Sequence, residues 1–261
     1  MHTILIAGEG KTDFDALHTL VKEIARQHET QCECRPLFPE EDATSGRQRG
    51  WSGLMEWCKR HRGDISNPQR AQEDNELLSL AGISRPRQIL QSFPPWQFFH
   101  AFEPDTRLLF HLDGDIAEEI GSHHPDGQYQ PDADRISYCR KALSDWTGLS
   151  PEEALWAIPV HCLETWFLTL YSIEECKAFW PDMQDYESTT TELVYDLLCS
   201  FGHKAYIDDF GIPTVDKCEL TKKYRSSLAQ HINKLYSACP SAKDFAVSVQ
   251  RFFEQDQVET G

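Results

Sequence analysis

The stretch Thr3-Ile4-Leu5-Ile6-Ala7-Gly8-Glu9-Gly10-Lys11-Thr12-Asp13 decides how this chain is read. Thr3 to Ala7 is a short apolar run of the kind that forms a buried strand, and the two glycines after it mark a tight turn. From Phe14 to His28, apolar Phe14, Leu17, Leu20, Val21 and Ile24 recur near every 3.6 residues, so a helix follows, with Thr12 or Asp13 as its N-cap signal. A second strand around Cys32 to Leu37 then comes at the spacing of a right-handed βαβ crossover. The carboxylate of Glu9 therefore sits at the carboxyl edge of a parallel sheet, where open α/β proteins place their ligands.

Gly8-Glu9-Gly10-Lys11-Thr12 is not a nucleotide-binding P-loop, although it ends in Gly-Lys-Thr after a strand. A P-loop has a glycine five positions before the Gly of Gly-Lys-Thr, and here that position is Leu5, inside the strand. The dinucleotide pattern fails as well, because Asp13 stands three positions after Gly10. What is left is a turn that exposes Glu9 beside the start of a helix, or a simple capped turn.

Further along, Arg107 to Leu112 reads as a continuous apolar strand ending in Asp113-Gly114-Asp115. Aspartates at i and i+2 face one side, close enough to share or bracket a divalent cation. A plain solvated Asp-Gly turn is the other reading. Glu153 to Val160 is expected to be another buried strand and His161 to Tyr171 an apolar helix. Glu164, in the apolar segment Cys162-Leu-Glu-Thr-Trp-Phe-Leu, is either a first-turn charge favoured by the helix dipole or a ligand aimed into a site.

Between these motifs, Trp51 to Lys59 reads as a short helix, and Arg62 to Glu76 as loop. The aromatic stretch Phe93 to Phe102 reads as a packed insertion at the sheet edge or a base-stacking platform. Beyond residue 172 the pattern turns helical, over Ser188 to Phe201, Leu220 to Tyr236 and Ser241 to Phe253, with breaks at Pro213 and Pro240. The expected architecture is an α/β core over residues 1–172, with an insertion at about 40–102, and a helical subdomain over residues 173–261.

Composition narrows the class. The chain has 261 residues, 40% hydrophobic and 26% charged, enough for one large α/β core, with no apolar run long enough for a membrane span. Nine irregularly spaced cysteines argue against a disulfide framework and for a reducing cytoplasm; the closest pair, Cys32 and Cys34, is read as partly buried thiols or a metal pair. The net charge of −17 disfavours nonspecific attraction to nucleic acid, though a basic stripe can be local, the densest late one being Lys217, Lys222, Lys223 and Arg225.

Taken together, Glu9 after the first strand and Asp113-Gly-Asp115 after a later one resemble the TOPRIM fold family, shared by topoisomerases, primases and the overcoming-lysogenization-defect nucleases. Glu9-Gly10-Lys11-Thr12-Asp13 together with Glu164-Thr165-Trp166-Phe167-Leu168 more narrowly resembles the compact TOPRIM-like proteins paired with an ATPase in bacterial anti-phage, abortive-infection systems. The resemblance covers about the first 170 residues; the long Glu40 to Phe102 segment departs from a minimal core. It implies a TOPRIM-like parallel sheet flanked by helices. Glu9, Asp113, Asp115 and Glu164 would be ligands of Mg²⁺ (or Mn²⁺). Independently of the resemblance, Lys217, Lys222 and Lys223 are read as exposed surface lysines or as the source of one, Lys222 being the choice, that reaches the scissile phosphate from the helical subdomain.

The activity so implied is metal-dependent hydrolysis of phosphodiester bonds in DNA or RNA. It would serve as the toxic effector of a cytoplasmic antiviral defence system, restrained by an ATPase partner. A homo-oligomer is left open. The alternatives are a Mg²⁺-dependent phosphatase or phosphotransferase, whose family places its nucleophilic Asp directly after the first strand where this chain has Glu9, and a non-catalytic TOPRIM assembly subunit.

Overall fold

The computed structural model describes residues 1–38, 50–62, 105–122, 135–207 and 213–258. The aromatic stretch Phe93 to Phe102 and most of the expected insertion lie outside them. The chain is α/β: four parallel strands, β1 (His2–Ala7), β2 (Cys32–Phe38), β3 (Thr106–His111) and β4 (Leu155–Ala157), pair in the order β2-β1-β3-β4.

Both faces of the sheet are covered, so its two central strands carry unbroken buried apolar runs, Ile4 to Ala7 in β1 and Leu108 to Phe110 in β3, rather than alternating. Ile4, Ile6 and Leu109 face one layer, Leu5, Ala7, Leu108 and Phe110 the other. The first layer holds α1 (Lys11–Gln27) and the second holds α2 (Gly50–Arg62), α3 (Ala117–Ser122) and α4 (Arg135–Thr147). The chain leaves β1 for β2 through α1 and leaves β3 for β4 through α4. Right-handed crossovers running in opposite directions across a sheet place their helices on opposite faces. The carboxyl ends of β1 and β3 are consequently the switch point of the topology, and the crevice outside them is where such sheets bind ligands.

The helices of the C-terminal third do not form a core of their own. After α5 (Glu164–Leu168) come α6 (Ile173–Phe179), α7 (Thr191–Ser200), a small antiparallel hairpin of β5 (Ala205–Ile207) and β6 (Pro213–Val215), then α8 (Lys217–Ala238) and α9 (Pro240–Val258). Leu220, Tyr224, Leu228, Phe245, Val249 and Phe253 are buried in the same apolar cluster as Ile4, Ile6 and Leu17. Trp166 of α5 stacks on Phe245 at 6.1 Å, and the Phe167 ring meets Tyr224 edge-on at 4.4 Å. Helices α6 to α9 thus complete one layer of the α/β sandwich.

Element boundaries differ from expectation for local reasons. The expected strand over 153–160 is only Leu155–Ala157, because Ser150 and Glu153 close a turn before it, the Ser150 N–H donating to Glu153 Oε2 at 2.8 Å. The helix expected over 161–171 is α5 alone. Around it the Thr165, Leu170 and Tyr171 N–H groups donate three residues back, a tighter winding than α. Gly10 is the N-cap of α1, and Asp13 acts from the third helical position, its Oδ2 accepting the Gly10 N–H at 2.8 Å. Pro240 opens α9 at a position where a missing N–H costs nothing, and Pro213 opens β6. The β5–β6 hairpin and α6 carry patterns too short to be read from sequence.

Candidate active site

Glu9 follows β1, Asp113 follows β3, and the two meet at the switch point. The Asp113 N–H donates to Glu9 Oε1 at 2.8 Å. Asp113 Oδ1 in turn accepts the Leu163 N–H at 2.8 Å, which ties the turn after β3 to the segment leading into α5. The Asp115 N–H donates to the His161 carbonyl at 3.0 Å, and Asp115 Oδ2 accepts the Thr191 hydroxyl at 2.6 Å. Glu9, Asp113 and Asp115 each have one carboxylate oxygen held by a donor and the other oxygen with no such bond among the described residues.

Gly114 is required here by proximity. A Cβ on it would lie 2.2 Å from the Val160 carbonyl oxygen and 2.5 Å from that of Pro159. The Asp-Gly-Asp turn can dock against the segment after β4 only because its middle residue has no side chain.

Glu164 opens α5 and is 1% exposed. Its Oε1 lies 2.7 Å from Nζ of Lys217, the first residue of α8, and the same ammonium is 3.9 Å from Asp13 Oδ1. The 2.7 Å approach is an ion pair without the alignment of a hydrogen bond, and neither Glu164 oxygen has an aligned donor among the described residues. Asp13 is itself 4% exposed. His111, the last residue of β3, is wholly buried; its Nδ1–H donates to the Ala157 carbonyl at 2.9 Å, and its Nε2 faces Asp113 Oδ1 at 3.3 Å. Because a carbonyl only accepts, Nδ1 carries the proton.

Five carboxyl groups therefore surround one lysine and one histidine, and the environments of Glu9, Asp113, Asp115 and Glu164 drive their titrations apart. Burial, then the Asp113 charge, pushes Glu9 well above the usual carboxylate range. Burial, then Asp113, lifts Asp115 to about 7. Burial raises Glu164 against the opposing pull of Lys217. Asp113 is held low: burial would raise it, but His111 and Lys217 outweigh that. Burial depresses the His111 imidazole, yet the Asp113 charge and contact lift it to about 10. Burial likewise opposes the Lys217 charge, but Glu164 and Asp13 keep it ammonium. Such separation of acid from base in one crevice occurs at sites of chemistry and of cation binding, and also in structural ion-pair networks.

All four carboxylates expected from the sequence are brought together. Lys222 is not among them; it stands exposed on α8, five residues beyond Lys217 and turned from the cluster. Of the three candidate lysines it is Lys217 that reaches the cluster. Asp13, His111 and Thr191 complete the site without having been anticipated; His111 was signalled by its place two residues before Asp113 on the same strand edge. His161 contributes its carbonyl. Lys223 is engaged elsewhere, donating to the Tyr171 hydroxyl at 2.6 Å. Beside the cluster an opening of about 260 Å³ is lined by Thr12, Lys204, Asp216, Lys217 and Cys218.

Among the described residues no three His, Cys, Asp or Glu side chains already converge on one point at metal-ligand distances. All nine cysteines are free thiols; Cys32 is buried and Cys34 half-buried, and their contact lowers the first and raises the second. No helix of the described residues is long and apolar enough to cross a membrane. No protein-family model, no curated protein and no solved structure matches this chain.

Proposed function

We propose that this chain is a metal-dependent nuclease whose centre is the acidic crevice at the ends of β1 and β3. The observation that carries the reading is the pinning of Glu9 by the Asp113 N–H and of Asp113 by the Leu163 N–H, each through one oxygen. A carboxylate oriented by one oxygen and open at the other is prepared to ligate a hard cation. The donor set is all oxygen, which suits Mg²⁺ or Mn²⁺. Glu9, Asp113 and Asp115 would hold the ion, and Glu164 would add an oxygen while its other keeps Lys217.

A bound ion of this class lowers the pKa of water and neutralises charge on a phosphate. The chain's own groups do the rest. Lys217, at the opening beside the cluster, is positioned to contact a non-bridging phosphate oxygen, with Lys204 on the same rim. Glu164 and Asp13 hold the Lys217 ammonium charged and aimed. Asp115, whose carboxyl lies at about 7 in the metal-free crevice, would give up its proton on ligating the ion.

The test is purified protein incubated with plasmid, single-stranded DNA and tRNA in Mg²⁺ or Mn²⁺, beside Glu9→Ala and Asp113→Ala. The expected result is cleavage that falls by at least about a hundredfold in both variants, the scale of losing an essential electrostatic group. Cleavage that survives both substitutions would refute the assignment. The role as a defence effector restrained by an ATPase rests on the TOPRIM resemblance. It predicts that expression of the chain alone is toxic, that co-expression of the ATPase encoded beside it relieves the toxicity, and that Asp113→Ala abolishes it.

A further inference from the structure

A second cavity, of about 440 Å³, opens at the other end of the sheet, between α4, β4 and α9. Arg107, the second residue of β3, lines it, whereas Asp113 lies beyond the opposite end of that strand, roughly 20 Å away at about 3.3 Å per residue. In a chain of net charge −17, this cavity gathers three guanidinium groups, those of Arg107, Arg140 and Arg251, against two carboxylates, Glu152 and Asp244.

The three arginines are held differently. Arg107 lies over the Phe252 ring at 5.0 Å, and Arg140 approaches Asp244 across the cavity at 3.7 Å, too long for a tight pair and exposed on both sides. Arg251 is exposed and makes no ion pair or hydrogen bond among the described residues. At the wall, Trp156 is 8% exposed, and its indole N–H has no acceptor among the described residues. A buried donor is costly to leave without an acceptor, and this one borders the cavity, where a ligand oxygen could accept from it.

We propose that this cavity binds a nucleoside di- or triphosphate, as a site separate from the acidic crevice. Guanidinium forks match phosphate oxygens bidentately, carboxylates accept ribose hydroxyls, and the volume lies within the range of small-ligand sites. The two carboxylates on the wall would repel a bare polyphosphate but complement a sugar, which selects a nucleotide over an inorganic anion.

The test is titration calorimetry of the full chain with ADP in EDTA, which removes any contribution of a metal at the acidic crevice. Pyrophosphate and adenosine are the comparison ligands, with Arg140→Ala and Arg251→Ala as exposed-position variants checked by thermal melting. The expected result is saturable ADP binding, at least tenfold tighter than either fragment, weakened five- to tenfold by each variant and unchanged in Asp113→Ala. Absence of ADP binding at millimolar concentration overturns the proposal. So does binding that neither arginine variant alters, or binding lost in Asp113→Ala. A single-stranded oligonucleotide that binds this surface where ADP does not also overturns it. Nuclease assays play no part in the readout, so failure here leaves the proposed activity standing.

Discussion

The Lys217 ammonium and the Glu164 carboxylate, 2.7 Å apart, join the first residue of α8 to the first residue of α5 in the interior of the protein. Taking both charges out of water is costly, and the pair offsets that cost only while both partners are present.

Lys217→Ala therefore leaves an uncompensated buried carboxylate and is expected to lower unfolding free energy by about 3 kcal/mol. The double variant Lys217→Met with Glu164→Gln should recover more than half of the loss, measured by urea denaturation. Lys222→Ala, at an exposed position of the same helix, should stay within about 0.5 kcal/mol of the parent. A Lys222 variant as destabilised as the Lys217 one would contradict this placement.

Gly114→Ala drives a methyl group to 2.2 Å from the Val160 carbonyl, where backbone rather than a mobile side chain must give way. About 3 kcal/mol of destabilisation is expected from such overpacking. Gly8→Ala makes an ordinary contact, its nearest neighbour being Asp13 Cβ at 3.5 Å, and should cost under about 1 kcal/mol. Equal thermal shifts in the two variants would show that the turn after β3 can move freely.

Asp115 titrates near 7 in the folded chain and near about 3.9 when unfolded. Between those values the folded state holds the extra proton, so stability falls as pH rises through about 4 to 7 and then levels off. Asp115→Asn, which keeps an acceptor for the Thr191 hydroxyl, should raise the Tm of the metal-free protein at pH 8 and leave it nearly unchanged at pH 4. An increase of about 2–4 °C at pH 8 corresponds to roughly 1 kcal/mol. A Tm that falls at pH 8 would mean that the charge is already compensated.

The same burial sets the sign for cation binding. Glu9, Asp115 and Glu164 must be deprotonated to act as ligands, so Mg²⁺ or Mn²⁺ should raise the Tm more at pH 8 than at pH 5.5. Glu9→Gln should abolish most of that increment. Metal stabilisation that is independent of pH would place the ion elsewhere.

The α/β class was legible from the chain because its signals are local. Apolar β1 and β3 segments, the 3.6-residue period of α1, and the acidic residues directly after each strand need no knowledge of distant contacts. The switch point follows from strand order, since carboxylates at the ends of adjacent parallel strands must share one crevice. Lys217 against Lys222 was not legible. Both lie in one basic stretch, and which reaches the crevice depends on where Asp216 caps α8, its Oδ1 accepting the Glu219 N–H at 3.0 Å. That choice of cap fixes the phase of the helix.

The sequence by itself determined β1, β2 and β3, the turns after β1 and β3, and the carboxylates that stand there, because side-chain period and turn chemistry act over a few residues. Only the tertiary structure decided what surrounds them. Asp13, while still capping α1, became a partner of Lys217, Gly114 became a point of backbone contact with Val160, and helices α8 and α9 became a layer of the sheet's own core. Each of these is set by packing between segments far apart in the chain. Burial, which no local pattern encodes, then sets the charge states of the site.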